Sequence, residues 1–428
     1  MSAQLIGFVC VAGMLGMIAL RMPIALGMAI TGFVGFGWIV AFDPAISIME
    51  SGAFETISNY DFSPIPMFIF MGVLASKARM SAELFHGAKT LFGAWRGGMA
   101  LAAVTSCGIF SAISGSSLAT AASMSKVALP EMKKQGYADS LATGTLAAGG
   151  TLGIMIPPSI ALLLYGLLTE QSVGDMFIAG IIPGFLGLLL YMIAIAITVK
   201  IFPHLATPGE STTFKQKITG LKGLVPFAGI FTLIIGGIYG GFFTPTEAAS
   251  VGAFGALIIA LYRGMNWKDF IDAVGETLVV STMIFFMVIG AEIFSVFLAV
   301  SQISNSLVNT VTDMNLSPIM ILMCILFLYI VLGMVMDSIA MLLLTVPVVY
   351  PLAMAAGFDP IWFGIVTVIT VELGLITPPI GMNVFVINSV AKDVRITSIF
   401  KGVIPFVLSD IVRLALIIIF PVLALGLL

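Results

Sequence analysis

The feature that most constrains this chain is a Pro-Pro pair that occurs twice inside long apolar runs. Leu152–Ser159 reads LGIMIPPS, and Leu373–Ile380 reads LGLITPPI. Proline lacks a backbone N–H and clashes with the preceding turn, so a double proline must interrupt a helix. In a bilayer the carbonyls freed there need a partner from protein, water or an ion. We therefore predict two broken membrane helices, an arrangement typical of transporter binding sites.

Composition places the whole chain in a membrane. Of its 428 residues 60% are hydrophobic and only 9% are charged, whereas a soluble domain has about 25% charged residues. The net charge of -3 gives no argument for nucleic-acid binding, and two histidines argue against a histidine-built metal site. We predict an all-α polytopic membrane protein that is not an enzyme and holds no cofactor.

About ten membrane spans are predicted, because a span needs about 20 apolar residues. Five lie in each half of the chain, and they are Leu5–Leu20, Pro23–Val40, Pro64–Ala78, Asp139–Leu168 (broken), Phe177–Ile201, Leu224–Tyr239, Pro245–Tyr262, Glu276–Val300, Phe358–Asn388 (broken) and Gly402–Leu425. Between the third and fourth span of each half lie two shorter apolar stretches, which predict a re-entrant hairpin. The stretches are Gly97–Ile113 with Leu118–Leu129, and Pro318–Met334 with Ile339–Ala355.

The two halves form an internal repeat, the feature to seek first in any chain. Pro130 and Pro351, Gly153 and Gly374, and Pro157 and Pro378 all differ by 221 positions. Further on, GIIPGFL from residue 180 matches GVIPFVL from residue 402 after a slip of one residue. We predict repeats over residues 1–222 and 223–428, with hairpins at about 97–135 and 318–357. An odd number of crossings in each half makes the second repeat inverted.

Charge gives the orientation. The linker Phe42–Ser63 has four acidic and no basic residues, whereas basic residues gather at the alternate span ends. On the positive-inside rule those basic ends are cytoplasmic and both termini are periplasmic, in a bacterial inner membrane. The first hairpin then opens from the cytoplasm and the second from outside. Ser81–Trp95, Trp267–Gly275 and Ser301–Leu316 are amphipathic and predict helices lying along the membrane surface.

Two cation sites are predicted where a hairpin tip meets a broken helix. Loose carbonyls, hydroxyls and helix ends together suit a partly dehydrated cation. The first cage combines Ser114, Gly115, Ser116 and Ser117 with the segment Gly153 to Pro157, and the second combines Asp337 and Ser338 with Gly374, Thr377 and Pro378. The alternative is that small residues at the tips only permit close packing.

Several polar residues inside apolar runs are candidate substrate contacts. They are Ser116, Thr151, Asp337, Glu372 and Asn383. A carboxylate at mid-membrane costs about 2.5 to 3.5 kcal/mol, so Asp337 should face a cavity, unless it caps a helix or forms a structural pair. Glu372, opposite Thr151 in the repeat, fits a cation-tuning or proton-accepting role or a plain buried hydrogen bond. Asp410 and Arg413 lie three residues apart on one helical face and predict a structural ion pair.

These motifs together resemble the large membrane subunit (M subunit, DctM-like) of tripartite ATP-independent periplasmic (TRAP) transporters. The matching segments are SGSS at the first tip, LGIMIPPS, FTPTEAA at Phe243–Ala249, Asp337-Ser338, LGLITPPIGMN at Leu373–Asn383 and SDIVRL at Ser409–Leu414. The resemblance covers essentially the whole chain. It implies sodium-driven secondary uptake of a carboxylate, such as sialic acid or a C4-dicarboxylate, by an elevator-type mechanism.

The resemblance also implies partners and a division of labour. A periplasmic binding protein would deliver the substrate, and a small four-span membrane subunit would brace the scaffold. Because the sequence begins at the first span of the large subunit, that small subunit is expected on a separate chain. The mobile transport domain would comprise residues of about 97–168 and 318–389, and the remainder would form the scaffold.

Three alternatives remain open at this point. A stand-alone sodium–carboxylate symporter of a related kind usually carries Ser-Asn-Thr at its tips, which neither tip has here. An intramembrane protease would need a base beside Ser116 or a second aspartate beside Asp337, and neither is evident. A channel is disfavoured because closed hairpins from opposite faces suit alternating access.

Overall fold

The regular structure is helical throughout the part of the chain that the computed structural model describes, residues 2–209, 213–314 and 316–428. The first repeat contains α1 Ala3–Ala19, α2 Ile24–Ile39, α3 Phe42–Ser58, α4 Pro64–Lys77, α5 Met80–Phe92, α6 Gly98–Ser114, α7 Ser117–Lys134, α8 Asp139–Met155, α9 Ile160–Leu168 and α10 Val173–Ile201. The first repeat ends with α11 Phe214–Lys222, and the second contains α12 Val225–Tyr239, α13 Pro245–Tyr262, α14 Trp267–Ser301, α15 Ile303–Asp313, α16 Pro318–Gly333, α17 Ser338–Ala355, α18 Pro360–Ile376, α19 Met382–Val390, α20 Ile396–Ile419 and α21 Val422–Leu425.

Length and apolar character make this a multi-pass membrane protein. Within the described ranges six helices are long and apolar enough to cross a membrane, or up to eight if two bent pairs each count as one span. The pairs bend by 66° between α4 and α5 and by 49° between α11 and α12. Five shorter apolar helices accompany them, namely α1, α2, α6, α16 and α18. The all-α polytopic class is confirmed, and the number of about ten spans stays a prediction.

Both helix breaks are confirmed. The α8 helix ends at Met155 and α9 begins at Ile160 after a break of four residues, while α18 ends at Ile376 and α19 begins at Met382. The bonds Pro157–Pro158 and Pro378–Pro379 are both cis. Ser159 caps α9, since its Oγ accepts the N–H of Leu162 at 3.3 Å and donates to the carbonyl of Ile154. The sequence therefore supplies a partner for one of the carbonyls that the first break releases.

The two hairpins return at opposite ends of the bundle. At the end of α7, Lys133 pairs with Asp139 at the start of α8, with 3.6 Å between Nζ and Oδ1. At the far end of the α8–α9 segment, Gln171 Nε2 donates to Tyr350 OH near the end of α17, at 3.4 Å. The open ends of the two hairpins therefore lie beside opposite ends of the α8–α9 segment. This is the arrangement expected of an inverted second repeat.

Helices α8, α10, α18 and α20 form the centre of the molecule. The last long helix of each repeat, α10 or α20, packs against the broken helices. Helix α20 packs on α8 and α18, and α10 packs on α8, α9 and α18. Glycines permit the closest approach: a Cβ on Gly144 of α8 would overlap the backbone of Gly402 on α20. The broken helices are consequently enclosed between the hairpins and the last helices of the repeats.

Two local predictions are wrong. Trp267–Gly275 is not a separate surface helix but the first part of α14, which runs unbroken to Ser301. The segment contains no proline, and one glycine costs a helix only about 1 kcal/mol. The linker predicted at Phe42–Ser63 contains α3, which buries Ala45, Gly52 and Thr56 along one face. Helices α5 and α15 do occupy the other two amphipathic stretches.

Candidate functional site

The first hairpin tip is a tight turn held by hydroxyl groups. Helix α6 ends at Ser114, and Gly115 adopts a φ of +58°, which glycine accepts without strain. Ser116 caps α7, with the N–H of Ala119 at 3.4 Å from its Oγ. Ser114 Oγ and Thr120 Oγ1 are hydrogen-bonded at 2.6 Å. Two helix ends therefore meet around a small cluster of oxygen atoms.

This tip lies directly against the first break. A Cβ added to Gly153 would lie 3.0 Å from the carbonyl oxygen of Ser116, and one added to Gly115 would lie 3.3 Å from that of Pro158. Ser114, Gly115, Ser117, Gly153 and Pro157 are buried, and Ser116 is partly exposed. The structure thus brings together the residues predicted for the first cage.

The second tip carries a carboxylate, and here the broken helix meets the hairpin at the end of α16 and not at the tip residues. Asp337 caps α17, its Oδ1 accepting the N–H groups of Ile339 at 3.0 Å and Ala340 at 3.2 Å. A Cβ on Gly374 would lie 2.8 Å from Cα of Gly333, the last residue of α16. The N–H of Gly381 donates to Met334 O at 3.0 Å. Asp337 therefore caps a helix, which is one of the alternative roles considered for it from the sequence. Its carboxylate lies at the hairpin tip.

The second cage is the more open of the two. Asp337, Ser338 and Thr377 are partly exposed, and Pro378 is exposed. Thr377 Oγ1 donates to the carbonyl of Leu373 at 2.5 Å. The side of Gly374 that meets the hairpin is closed, whereas the break itself reaches the molecular surface.

Eight helix ends converge on the two tips and two breaks. Helices α6, α8, α16 and α18 end there, and α7, α9, α17 and α19 begin there. Terminal carbonyls carry partial negative charge and attract cations, whereas N-terminal N–H groups attract anions. The arrangement can therefore hold positive ions and a carboxylate close together.

A buried polar cluster lies on the opposite side of the broken helices from the tips. It consists of Thr151, Tyr191, Glu372, Asp410 and Arg413, all of them inaccessible to solvent. Nη2 of Arg413 bonds Glu372 and lies 2.9 Å from Asp410 Oδ1. Tyr191 OH donates to Asp410 Oδ2 at 2.5 Å and lies 3.2 Å from Thr151 Oγ1.

Sequence reasoning found only part of this cluster. The Asp410–Arg413 ion pair is confirmed, but its bond to Glu372 and the contribution of Tyr191 were missed. The sequence did carry an indication of the role of Tyr191. After the slip of one residue in the repeat, Tyr191 is the equivalent of Arg413, 222 positions apart.

The other candidate substrate residues have the following partners. Thr151 and Glu372 belong to the buried polar cluster, and Asn383 Nδ2 donates to Ala147 O at 3.1 Å between the repeats. Ser116 and Asp337 remain at the tips. Substrate contact by any of these five residues stays a prediction.

Comparison with solved structures supports the fold of a multi-pass membrane protein. The fold is similar to the crystal structure of the YdaH transporter from Alcanivorax borkumensis, with a TM-score of 0.57 and 15% identity. The match covers 86% of this chain and 88% of that one. At this identity the likeness shows a shared fold.

Sequence comparison then gives the family. Residues 11–423 match the model of the tripartite ATP-independent periplasmic transporter, DctM component. A C4-dicarboxylate TRAP transporter large permease protein of Pseudomonas aeruginosa is 35% identical over 401 residues, covering 92% of this chain and 93% of the relative. A sialic acid TRAP transporter large permease protein of Vibrio cholerae is 30% identical over 414 residues, covering 96% and 95%. The chain therefore belongs to the DctM family of TRAP large permeases, and its role is transport.

Proposed function

We propose that the chain is the permease of a sodium-driven TRAP uptake system for a small carboxylate. A periplasmic binding protein delivers the substrate, and a separate small membrane subunit braces the scaffold. The observation that carries the proposal is the close contact of each hairpin with a glycine of a broken helix, Gly153 against Ser116 at the first tip and Gly374 against Gly333 at the end of α16. Backbone contact of this kind leaves carbonyls and hydroxyls, the ligands that hard cations prefer, as the groups around each tip.

Oxygen ligands in these cages favour a hard cation such as sodium over a softer one. The predicted ligands are oxygen atoms: the hydroxyls of Ser114, Ser116 and Ser117 in the first cage, and Asp337 with Ser338 in the second. Cysteine and histidine are missing from both cages. A cation held at Asp337 would also neutralise a carboxylate that is costly at mid-membrane.

The substrate carboxylate would be held by helix ends and bound cations. Arg413 is the basic residue buried among the central helices, and it is already bonded to Glu372 and close to Asp410. Helices α7 and α17 begin at the two tips, and the positive ends of their dipoles favour an anionic group there. Cation binding would therefore create the site for the anion, which makes uptake depend on sodium.

Transport by an elevator movement fits the way the helices pack. The hairpins and broken helices form the proposed mobile domain. The resemblance assigns α10 and α20 to the scaffold, but because both helices pack on the broken helices, we propose that they travel with the mobile domain. Helices α2, α3 and α14 pack on one another and fit the static scaffold. Both termini face the periplasm in this proposal, since all basic residues except Arg413 then lie at cytoplasmic ends.

The test is uptake into proteoliposomes that contain the permease and its small subunit, with the binding protein outside. We expect uptake of a labelled C4-dicarboxylate or sialic acid to need both an inward sodium gradient and the binding protein. Uptake without a sodium gradient would contradict the coupling, and uptake without a binding protein would favour a stand-alone symporter.

Asp337→Asn tests the second cage within the same assay. Asparagine caps helices as well as aspartate does, so the change removes the charge and keeps the cap. We expect sodium affinity to fall about ten- to hundredfold, the equivalent of losing one charged ligand. The matched control is Asp359→Asn, because Asp359 caps α18 by accepting the N–H of Trp362 at 2.8 Å but lies away from both cages. Equal effects of the two changes would remove Asp337 from the site.

A further inference from the structure

We propose that the buried polar cluster couples the two cation cages, so that a cation in one raises the affinity of the other. The cluster joins α8, α10, α18 and α20 through Thr151, Tyr191, Glu372, Asp410 and Arg413. The inference rests on the proposed sodium sites and goes beyond them, because two separate cages do not by themselves communicate.

Each broken helix has a cage on one side and the cluster on the other. Residues two apart in an α-helix point in nearly opposite directions, about 200° around the axis. On α8, Gly153 meets the first tip, and Thr151 meets Tyr191. On α18, Gly374 meets the second hairpin, and Glu372 meets Arg413. A shift of either helix when its cage fills must therefore move one end of the cluster.

The cluster follows the internal repeat. Thr151 and Glu372 are equivalent by the offset of 221, and Tyr191 and Arg413 are equivalent by the offset of 222. Each half thus contributes one residue from its broken helix and one from its last helix. The two pairs are connected through Asp410, whose equivalent in the first half is the apolar Leu188.

Contacts within the cluster are continuous from one half to the other. The hydroxyls of Thr151 and Tyr191 are 3.2 Å apart, and Tyr191 donates to Asp410 at 2.5 Å. Asp410 lies 2.9 Å from Nη2 of Arg413, which bonds Glu372. Because every member is fully buried, no link can be replaced by bulk water when one helix moves.

The guanidinium is confined but has a second set of donors. A Cβ on Gly187 of α10 would lie 3.0 Å from Cζ of Arg413, so this side chain lies flat against the α10 backbone. Its Nε and Nη1 have no hydrogen-bond partner among the described residues. These free donors would allow a second hydrogen-bonding arrangement of the same confined group, and two such arrangements are the discrete states that coupling between distant sites requires.

Tyr191→Phe is the smallest change that cuts this connection. It removes one hydroxyl and keeps the ring, which packs on Phe406 with a centroid distance of 5.2 Å. The experiment measures equilibrium binding of radioactive sodium to the purified permease with its small subunit. We expect the wild type to bind with a Hill coefficient above unity and Tyr191→Phe to bind with a coefficient near unity. The binding midpoint should rise about two- to tenfold, the square root of a typical coupling factor.

A second variant and a matched control separate coupling from stability. Thr151→Val cuts the neighbouring link and should give the same loss of cooperativity, with no further loss in the double variant. The control is Tyr165→Phe, which removes another buried hydroxyl, the donor to Pro360 O at 2.9 Å, outside the cluster. It should keep the wild-type Hill coefficient.

The outcomes distinguish this inference from the proposed function. Absence of saturable sodium binding in the wild type would overturn the proposed function. Cooperative binding that survives in Tyr191→Phe and Thr151→Val would overturn the coupling and leave the sodium sites intact. An equal loss in Tyr165→Phe would also overturn it, because the effect would then follow from general loosening of the fold.

Discussion

In the first repeat the hairpin tip and the helix break are both enclosed, whereas in the second the break reaches the surface. The first cage is neutral and held by the Ser114–Thr120 hydroxyl pair. The second has a carboxylate at Asp337 and an exposed Pro378. Both cages keep a glycine against the hairpin, at Gly153 and Gly374. The comparison teaches that both halves keep a close approach between broken helix and hairpin, at the tip in the first half and at the end of α16 in the second, and that charge and access differ between the halves.

The same contrast exists on the other side of the broken helices. The first half supplies the neutral pair Thr151 and Tyr191, and the second supplies Glu372 and Arg413 at the equivalent positions. A neutral hydroxyl pair can be lost at modest cost, but removing one member of a buried ion pair leaves an uncompensated charge. Stability should therefore depend far more on the second half of the cluster than on the first.

The largest expected effect tests that difference directly. Arg413→Leu leaves Glu372 and Asp410 buried without their cation and should reduce stability by about 3 to 5 kcal/mol. Tyr191→Phe, at the equivalent position, removes one hydrogen bond to a carboxylate and should cost about 1.5 to 3 kcal/mol. Thermal unfolding in detergent measures both changes. Similar losses from the two would show that the halves of the cluster are equally important.

A smaller effect is expected where the glycines meet the hairpins. Gly374→Ala and Gly153→Ala each force a hairpin away from its broken helix, at a cost of about 1 to 3 kcal/mol. The change at Gly374 should be the more severe, because its Cβ would lie 2.8 Å from a backbone carbon of Gly333. Sodium-dependent uptake measures the effect on each cage.

Gly13→Ala is the control for these two changes. A Cβ on Gly13 has no neighbouring atom within 4 Å, so uptake should remain at the wild-type level. If Gly153→Ala and Gly374→Ala also transported sodium and substrate normally, close contact between tip and break would not be needed.

The smallest effect concerns the open end of the first hairpin, where α7 ends. Lys133 donates to Asp393 Oδ2 at 2.5 Å, and this bond lowers the pKa of the Asp393 carboxyl. A carboxyl with a lowered pKa stabilises the folded state above its ordinary value and loses that contribution as the pH falls through the lowered pKa. Lys133→Met gives the first hairpin the residue that Met354 supplies in the second.

We expect Lys133→Met to reduce stability slightly at neutral pH, because the pair is largely exposed. The difference from the wild type should shrink on acidification below the ordinary pKa of aspartate and disappear only below the lowered pKa of Asp393. Unfolding curves across this pH range measure it. A difference that persisted in acid would assign the effect to lost packing of the lysine stem.

Local rules were enough to predict the breaks, the hairpins and the repeat. Pro-Pro at residues 157 and 378 stops a helix whatever surrounds it, and apolar length alone marks the hairpin arms. The breaks and hairpin arms depend on neighbours in sequence, and the repeat is a match within the sequence itself, so a single sequence is sufficient for them. The two cation cages stay a prediction.

Contacts between distant segments were beyond those rules. Glu372 and Arg413 are 41 residues apart on different helices, and only the fold shows that they bond. Asp410 and Arg413 were predictable because a helix places residues three apart together. The length of α14 was missed for a related reason, since polar residues near Trp267 resemble a surface arm unless the next helix is known to continue from it.

The buried polar cluster makes the two halves of the chain no longer interchangeable. A chain built from two first halves would enclose two tyrosines and no cation, and one built from two second halves would crowd two guanidinium groups and four carboxylates into the same space. Because the two halves differ at positions 151, 188 and 191 and their equivalents 372, 410 and 413, the space encloses one guanidinium group and two carboxylates. A duplicated gene could keep its hairpins and prolines in both copies, but not the residues at its centre.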